Sequence, residues 1–145
     1  MKMKLVALSA VMFLASCDQI GKQALNAVPD PSKEQEQVAQ TAYDHLRHSE
    51  FDQLTENFSP ELKLKLDANS KELKKFAKGL PKENYKFKKI VSKHFEEGIN
   101  KPSKYTISYE YSYPKNLVQY DISFDKAGGS TKIQDINVQI FGESI

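Results

Sequence analysis

The chain has 145 residues, 21 Lys and Arg against 19 Asp and Glu, and one cysteine, Cys17. This length, with the 129 residues left once residues 1–16 are set aside as a signal, leads us to expect one domain with a core of moderate size. The near balance of charge argues against a dedicated nucleic-acid binder, and a lone cysteine excludes an internal disulfide.

Lys2 and Lys4 open the chain, and residues 5–14 form an apolar run of ten. A basic start followed by a short apolar stretch has the form of the n-region and h-region of a secretory signal. As a helix these ten residues rise only about 15 Å against a hydrocarbon core of about 30 Å, too short for a transmembrane span. The run ends in Leu14-Ala15-Ser16-Cys17, which resembles the lipobox of bacterial lipoproteins. The resemblance implies that residues 1–16 are removed as a signal peptide, that the Cys17 thiol takes a diacylglyceryl group, and that the new N-terminal amine is acylated, palmitate being the expected chain. Several acyl chains on one residue meet the requirement for stable membrane attachment. The mature chain is then expected on a bacterial cell membrane, held by the lipid anchor on Cys17, with its domain facing the periplasm or the cell exterior. Asp18 resembles the inner-membrane retention signal of enteric bacteria; that rule varies among bacteria, so the leaflet stays open.

Without residues 1–16, 129 residues remain, with 19 basic and 19 acidic side chains. The charges are segregated. Residues 18–62 hold 3 basic and 9 acidic groups, residues 63–104 hold 13 and 5, and residues 105–145 hold 3 and 5. The basic middle block has the sign needed to face anionic lipid headgroups or an acidic partner. Lysines on helix faces and edge strands also keep small proteins soluble and stop foreign strands from pairing.

Residues 17–32 read as the lipidated N-terminus and a tether, because Pro29 and Pro31 exclude a continuous helix. Ile20, Ala24, Ala27 and Val28 could form a short apolar face within it. Ser32 is a good helix cap, with Glu34 and Glu36 placed to complement the helix dipole in the first turn. Val38, Ala42, Tyr43 and Leu46 then recur at helical spacing. After a break at residues 48–50, Phe51, Leu54 and Phe58 continue the period. Ser59-Pro60-Glu61 is a fresh start with proline at the first helical position. Leu62, Leu66, Leu73, Phe76, Ala77 and Leu80 define the next apolar face, with a kink at Asn69-Ser70 and a stop at Gly79 and Pro81.

From Asn84 the period changes to alternation. Tyr85, Phe87, Ile90, Val91 and Phe95 make an irregular, bent first strand. Tyr105, Ile107, Tyr109, Tyr111 and Tyr113 alternate with polar residues and form a strand with one apolar face. A turn at Pro114-Lys115-Asn116 leads to Val118, Tyr120, Ile122 and Phe124, which alternate likewise. Ala127-Gly128-Gly129-Ser130 reads as a hairpin loop. The last strand is expected over residues 131–141 with Ile136, Val138 and Ile140 inward; Ile133 is out of phase, which predicts a β-bulge near Gln134-Asp135.

Helices followed by four antiparallel strands predict an α+β fold over residues 33–145, with the N-terminal helices packed on a curved four-stranded antiparallel sheet. The element order, with Glu50-Phe51-Asp52-Gln53-Leu54 leading into Phe58-Ser59-Pro60-Glu61-Leu62-Lys63, resembles small lipoprotein domains of the nuclear-transport-factor-2-like, cystatin-like superfamily. That resemblance implies a cone-like domain, and the superfamily hosts enzymes and non-enzymes alike.

Few residues point to chemistry. His45 and His48 are three apart on a helix, with Asp44 and Glu50 nearby, but a zinc site needs a third ligand and only His94 remains as another imidazole. The same histidines suit a helix C-terminus through the dipole alone. Tyr105, Tyr109, Tyr111, Tyr113 and Tyr120 could line a ligand pocket, or fill a core face as alternating aromatics normally do. Asp121 and Asp135 fall on polar phases of their strands, and no nucleophile motif, phosphate loop or paired carboxylates stand out. The expectation is therefore a non-catalytic interaction module of the cell envelope without cofactor or bound metal, partnered by an envelope protein and the membrane rather than nucleic acid. A small-ligand carrier or enzyme using a cavity between helices and sheet is the alternative.

Overall fold

A computed structural model describes residues 25–142. Among the described residues, four helices lie whole and precede four strands: α1 (Lys33–Arg47), α2 (Phe51–Thr55), α3 (Pro60–Ala68), α4 (Ser70–Gly79), β1 (Phe87–Glu96), β2 (Lys104–Ser112), β3 (Asn116–Phe124) and β4 (Asp135–Gly142). The strands form one antiparallel sheet in the order β1-β2-β3-β4. The fold class is α+β, and the sheet is open.

The start of α1 is fixed twice. Ser32 accepts from Gln35 N at 3.1 Å, and the Gln35 side chain accepts from Ser32 N at 3.1 Å, a complete capping box. Ala39, Ala42, Tyr43 and Leu46 then face the core at helical spacing. Ser49, at φ 59°, ends the turn that follows, and α2 buries Leu54. At the other end of α1, Arg47 donates to Asp44 Oδ1 at 3.0 Å and to the Glu83 carbonyl at 3.0 Å, tying the helix to the segment that leads into β1.

Phe58 leaves the helical period that was expected to include it. It forms a parallel bridge with Ile133, in which Ile133 N donates to Asn57 O at 2.7 Å and Ser59 N donates to Ile133 O at 2.8 Å. Ser59 caps α3 through Leu62 N at 3.2 Å, and Pro60 occupies the first helical position. The kink expected at Asn69-Ser70 is a boundary between two helices, with Asn69 capping the first. Leu62, Ala77 and Leu80 are buried as expected, while Phe76 remains 46% exposed. Its position in α4 turns it toward the open side of the helix rather than into the core.

On the sheet, Tyr105, Ile107, Tyr109 and Tyr111 of β2 pair with Phe124, Ile122, Tyr120 and Val118 of β3, and all eight are buried. Alternation along both strands puts these residues on one face. The irregularity of β1 lies between Ile90 and Ser92, where its register against β2 shifts. Phe87 and Phe95, expected on the apolar face, are 52% and 41% exposed because β1 is an edge strand. β4 starts at Asp135, later than the sequence suggests. Gln134 N donates to the carbonyl of Ser123, the residue that Asp135 pairs with, so two residues oppose one as the bulge expectation requires. That local offset lets Ile133 and Val138 both reach the core.

The buried members of all four helices and of β2, β3 and β4 belong to one apolar cluster. Tyr43 of α1 is its centre. Its ring stacks on Tyr111 at 3.9 Å between centroids with 14° between planes, and it meets Tyr120 at 5.1 Å.

Candidate functional site

Cys17 and the whole expected signal segment lie outside the described residues, as does the first part of the tether. From Val28 onward the segment expected to be a tether is held by the domain. The Lys93 ammonium, 5% exposed, donates to Val28 O at 2.6 Å and pairs with Asp30 at 2.7 Å, and the Tyr105 hydroxyl donates to Pro29 O at 2.6 Å.

The histidines do not converge. His45 Nδ1 lies 2.6 Å from Glu50 Oε2, His48 Nδ1 lies 2.8 Å from the Asp44 carbonyl, and His94 pairs with Glu96 at 3.2 Å on exposed β1. Each imidazole is turned to its own partner. Among the described residues no group of three or more His, Cys, Asp or Glu is placed to hold a metal ion.

The five strand tyrosines fill the interior instead of lining a space. The Tyr113 hydroxyl shares a 2.7 Å hydrogen bond with that of Tyr43, Tyr111 donates to Gln40 Oε1 at 3.1 Å, and Tyr120 donates to the Ala39 carbonyl at 3.0 Å. Only the Tyr109 hydroxyl is buried without a partner among the described residues. Burial raises the pKa of Tyr43, Tyr109, Tyr111, Tyr113 and Tyr120, and pushes Tyr105 up to about 12 with help from the charges of Asp30 and Glu36. These phenols stay protonated at neutral pH and act as hydrogen-bond donors and packing groups. Lys88 lies over the rings of Tyr109 and Tyr111 at 5.1 and 5.9 Å and donates to Gln40 Oε1 at 2.9 Å.

A groove of about 230 Å³ lies elsewhere, at the corner where α3 and α4 meet β4. Its apolar walls include Leu62, Leu66, Leu73, Phe76, Ile136 and Val138, and its rim carries Lys65, Glu72, Asp135 and Asn137. Asp135 is the best-held charge on this rim. Partial burial works against its ionisation, but the hydrogen bond from Lys104 at 2.8 Å and the charges of Lys104 and Lys65 hold its pKa below the usual carboxylate value. Asp121, two residues along β3 from the partner of Asp135, accepts from Gln119 at 3.2 Å and Asn137 at 3.4 Å.

Sequence reasoning missed this corner because its walls come from segments some sixty residues apart, in α3, α4 and β4. One signal was present. Phe76 follows Lys74 and Lys75, and a large apolar residue in so basic a helix suggests a face that is not wholly buried. Lys71, Lys74, Lys75 and Lys78 are exposed along α4. Among the described residues no helix is long and apolar enough to cross a membrane. No family model matches the chain, and neither the curated proteins nor the solved structures give a match.

Proposed function

We propose that the chain is a lipid-anchored protein of the bacterial envelope whose domain acts by protein-protein contact rather than by catalysis. In this reading Cys17 carries the diacylglyceryl and acyl chains, and a cone-like domain of the nuclear-transport-factor-2-like, cystatin-like kind has its helices laid on a curved sheet. The domain faces the periplasm or the cell exterior.

The observation that carries the reading is the corner of α3, α4 and β4. Phe76 and Ile140 are 46% and 36% exposed, next to the basic face of α4. Exposed large apolar side chains beside charged ones are characteristic of contact surfaces. The interior supports the same view. Carriers and enzymes use an enclosed, partly polar cavity of several hundred Å³, whereas here Tyr43, Tyr111 and Tyr120 fill the space between α1 and the sheet.

The test is purification of the full-length protein, tagged at its C-terminus, from detergent-solubilised membranes beside a Cys17→Ser control. The expected result is a membrane-bound native protein that brings down a stoichiometric protein partner, and a Cys17→Ser variant that is neither processed nor able to do so. Recovery of Cys17→Ser as a processed, membrane-bound protein overturns the anchor. The groove of about 230 Å³ favours a second reading, a small-ligand carrier; co-purification of lipids or small molecules alone would select it.

A further inference from the structure

Among the described residues the sheet has two edges, β1 and β4, and they are built in opposite ways. β1 carries Lys88, Lys89 and Lys93, and its register breaks between Ile90 and Ser92. Lys88 and Lys93 also turn inward, to Gln40 and to Asp30. Lysines, inward-pointing charges and bulges are the devices that stop an edge from pairing with another strand.

β4 has none of them beyond the bulge at its very start, Gln134-Asp135. Its sequence, DINVQIFG, holds no lysine and no proline, and its register against β3 is regular from Asp135 to Gly142. Its one charge, Asp135, sits at the first residue and is already neutralised by Lys104 and Lys65. Among the described residues its outer edge pairs with no other strand.

We propose that β4 pairs antiparallel with β4 of a second copy, joining two four-stranded sheets into one of eight. Such a pair has its two-fold axis normal to the sheet, so residues of the groove side must stand opposite residues of the groove side. The register that sets Val138 against Val138 of the second copy also sets Ile136 against Ile140, and Asn137 against Gln139. Apolar side chains meet on one face; amides meet on the other, with Asp135 opposite Phe141 at each end of the seam. No like charges face each other across the seam, whereas the lysines of β1 make that edge a poor match for its own copy. An eight-residue edge, roughly 27 Å long, buries less than the ~800 Å² per partner of a standard interface. The exposed area of Phe76 and Ile140, with the groove wall behind them, supplies the remainder.

The pairing is independent of the lipid anchor and is tested separately from it. The full chain is purified in mild detergent and its mass determined by sedimentation velocity at about 1 to 100 µM. The expected result is a dimer whose dissociation constant rises at least tenfold in Gln139→Lys, and further in the Asn137→Lys/Gln139→Lys variant, which sets lysine against lysine. Both positions are exposed, and an unchanged circular dichroism spectrum confirms that the fold persists. Val138→Cys, oxidised in membranes, is expected to give a covalent dimer, because directly opposed residues of an antiparallel pair lie within disulfide range. The native chain, with Cys17 alone, controls for other thiol chemistry. A monomer across this range overturns the proposal, as does a dimer that Gln139→Lys leaves intact. Protection of the β4 amides from hydrogen exchange only when a different envelope protein is added also overturns it and assigns the edge to that protein.

Discussion

Tyr43 and Tyr113, seventy residues apart, share a hydrogen bond of 2.7 Å between their hydroxyls in the buried interior. The ring of Tyr43 meanwhile stacks on Tyr111 at 3.9 Å. One side chain of α1 thus makes both the apolar and the polar contact with β2 and the residue just past its end.

Truncating that side chain should be among the costliest single changes in the protein. Tyr43→Ala is expected to lose about 3 to 5 kcal/mol, the range for removing a buried aromatic side chain. Tyr43→Phe keeps the stack, removes one hydroxyl and should cost about 1 kcal/mol. Urea denaturation of the two variants measures the difference; equal costs would mean that the hydroxyl pair rather than the stack dominates.

Gln35 makes a second long-range link, and its side chain uses its full hydrogen-bonding capacity. Its amide nitrogen donates to the carbonyls of Lys126 at 2.8 Å and Ser130 at 3.1 Å, and its oxygen accepts from Ser32 N at 3.1 Å and Gly128 N at 2.9 Å. Gly128 stands at φ 68°, which glycine adopts freely, so the loop can turn its N–H to the helix. Gln35→Leu leaves these backbone groups without their partner and should cost roughly 3 kcal/mol, since each buried unsatisfied group costs about 1 to 3. Amide exchange at Gly128 should speed up in the variant. An unchanged exchange rate would show that the loop holds its shape without the glutamine.

Much of this architecture was legible in local sequence. The alternation of Tyr105, Ile107, Tyr109 and Tyr111 needs only a period of two, and Ser32 and Ser59-Pro60 announce helix starts within four residues. What escaped reading is long-range. The role of Gln35 is one such case, because its partners lie about ninety residues away. Ile133 could be seen to be out of phase, but nothing local says that Phe58 receives it. The groove was hidden for the same reason, and the tyrosine face was ambiguous between pocket and core until Tyr43 was seen to occupy it.

Stability should fall on the alkaline side. A phenol whose folded pKa is raised gives stability that is complete below its unfolded value near 10 and is lost as pH climbs toward the folded value. Tyr105, pushed up to about 12, marks this window from about pH 10 to 12, and the other buried tyrosines act in the same direction. Following tyrosinate absorbance against pH, ionisation is expected to arrive together with loss of the far-ultraviolet dichroism. Gradual titration of all seven tyrosines in a folded protein would contradict the buried cluster.

Acid acts through Asp135. Its pKa is lowered in the fold, so its contribution is present above the unfolded carboxylate value and is lost as pH falls through the lower, folded one. Asp135→Asn should therefore be destabilised at neutral pH and lose less than the native protein below about pH 4. Thermal melts at pH 7 and pH 3 give the comparison; a parallel fall in both proteins would place the acid sensitivity elsewhere.

If Cys17 anchors the chain as proposed, the grip of Lys93 on Val28 and Asp30, and of Tyr105 on Pro29, decides how the domain bears load. A pull applied through the N-terminus meets these bonds before it reaches the first turn of α1. Tension is thus passed sideways into β1 and β2, where many backbone bonds share it, instead of peeling the helix from its end one turn at a time. An attachment of this form lets the connecting segment be tugged without starting to unwind the fold.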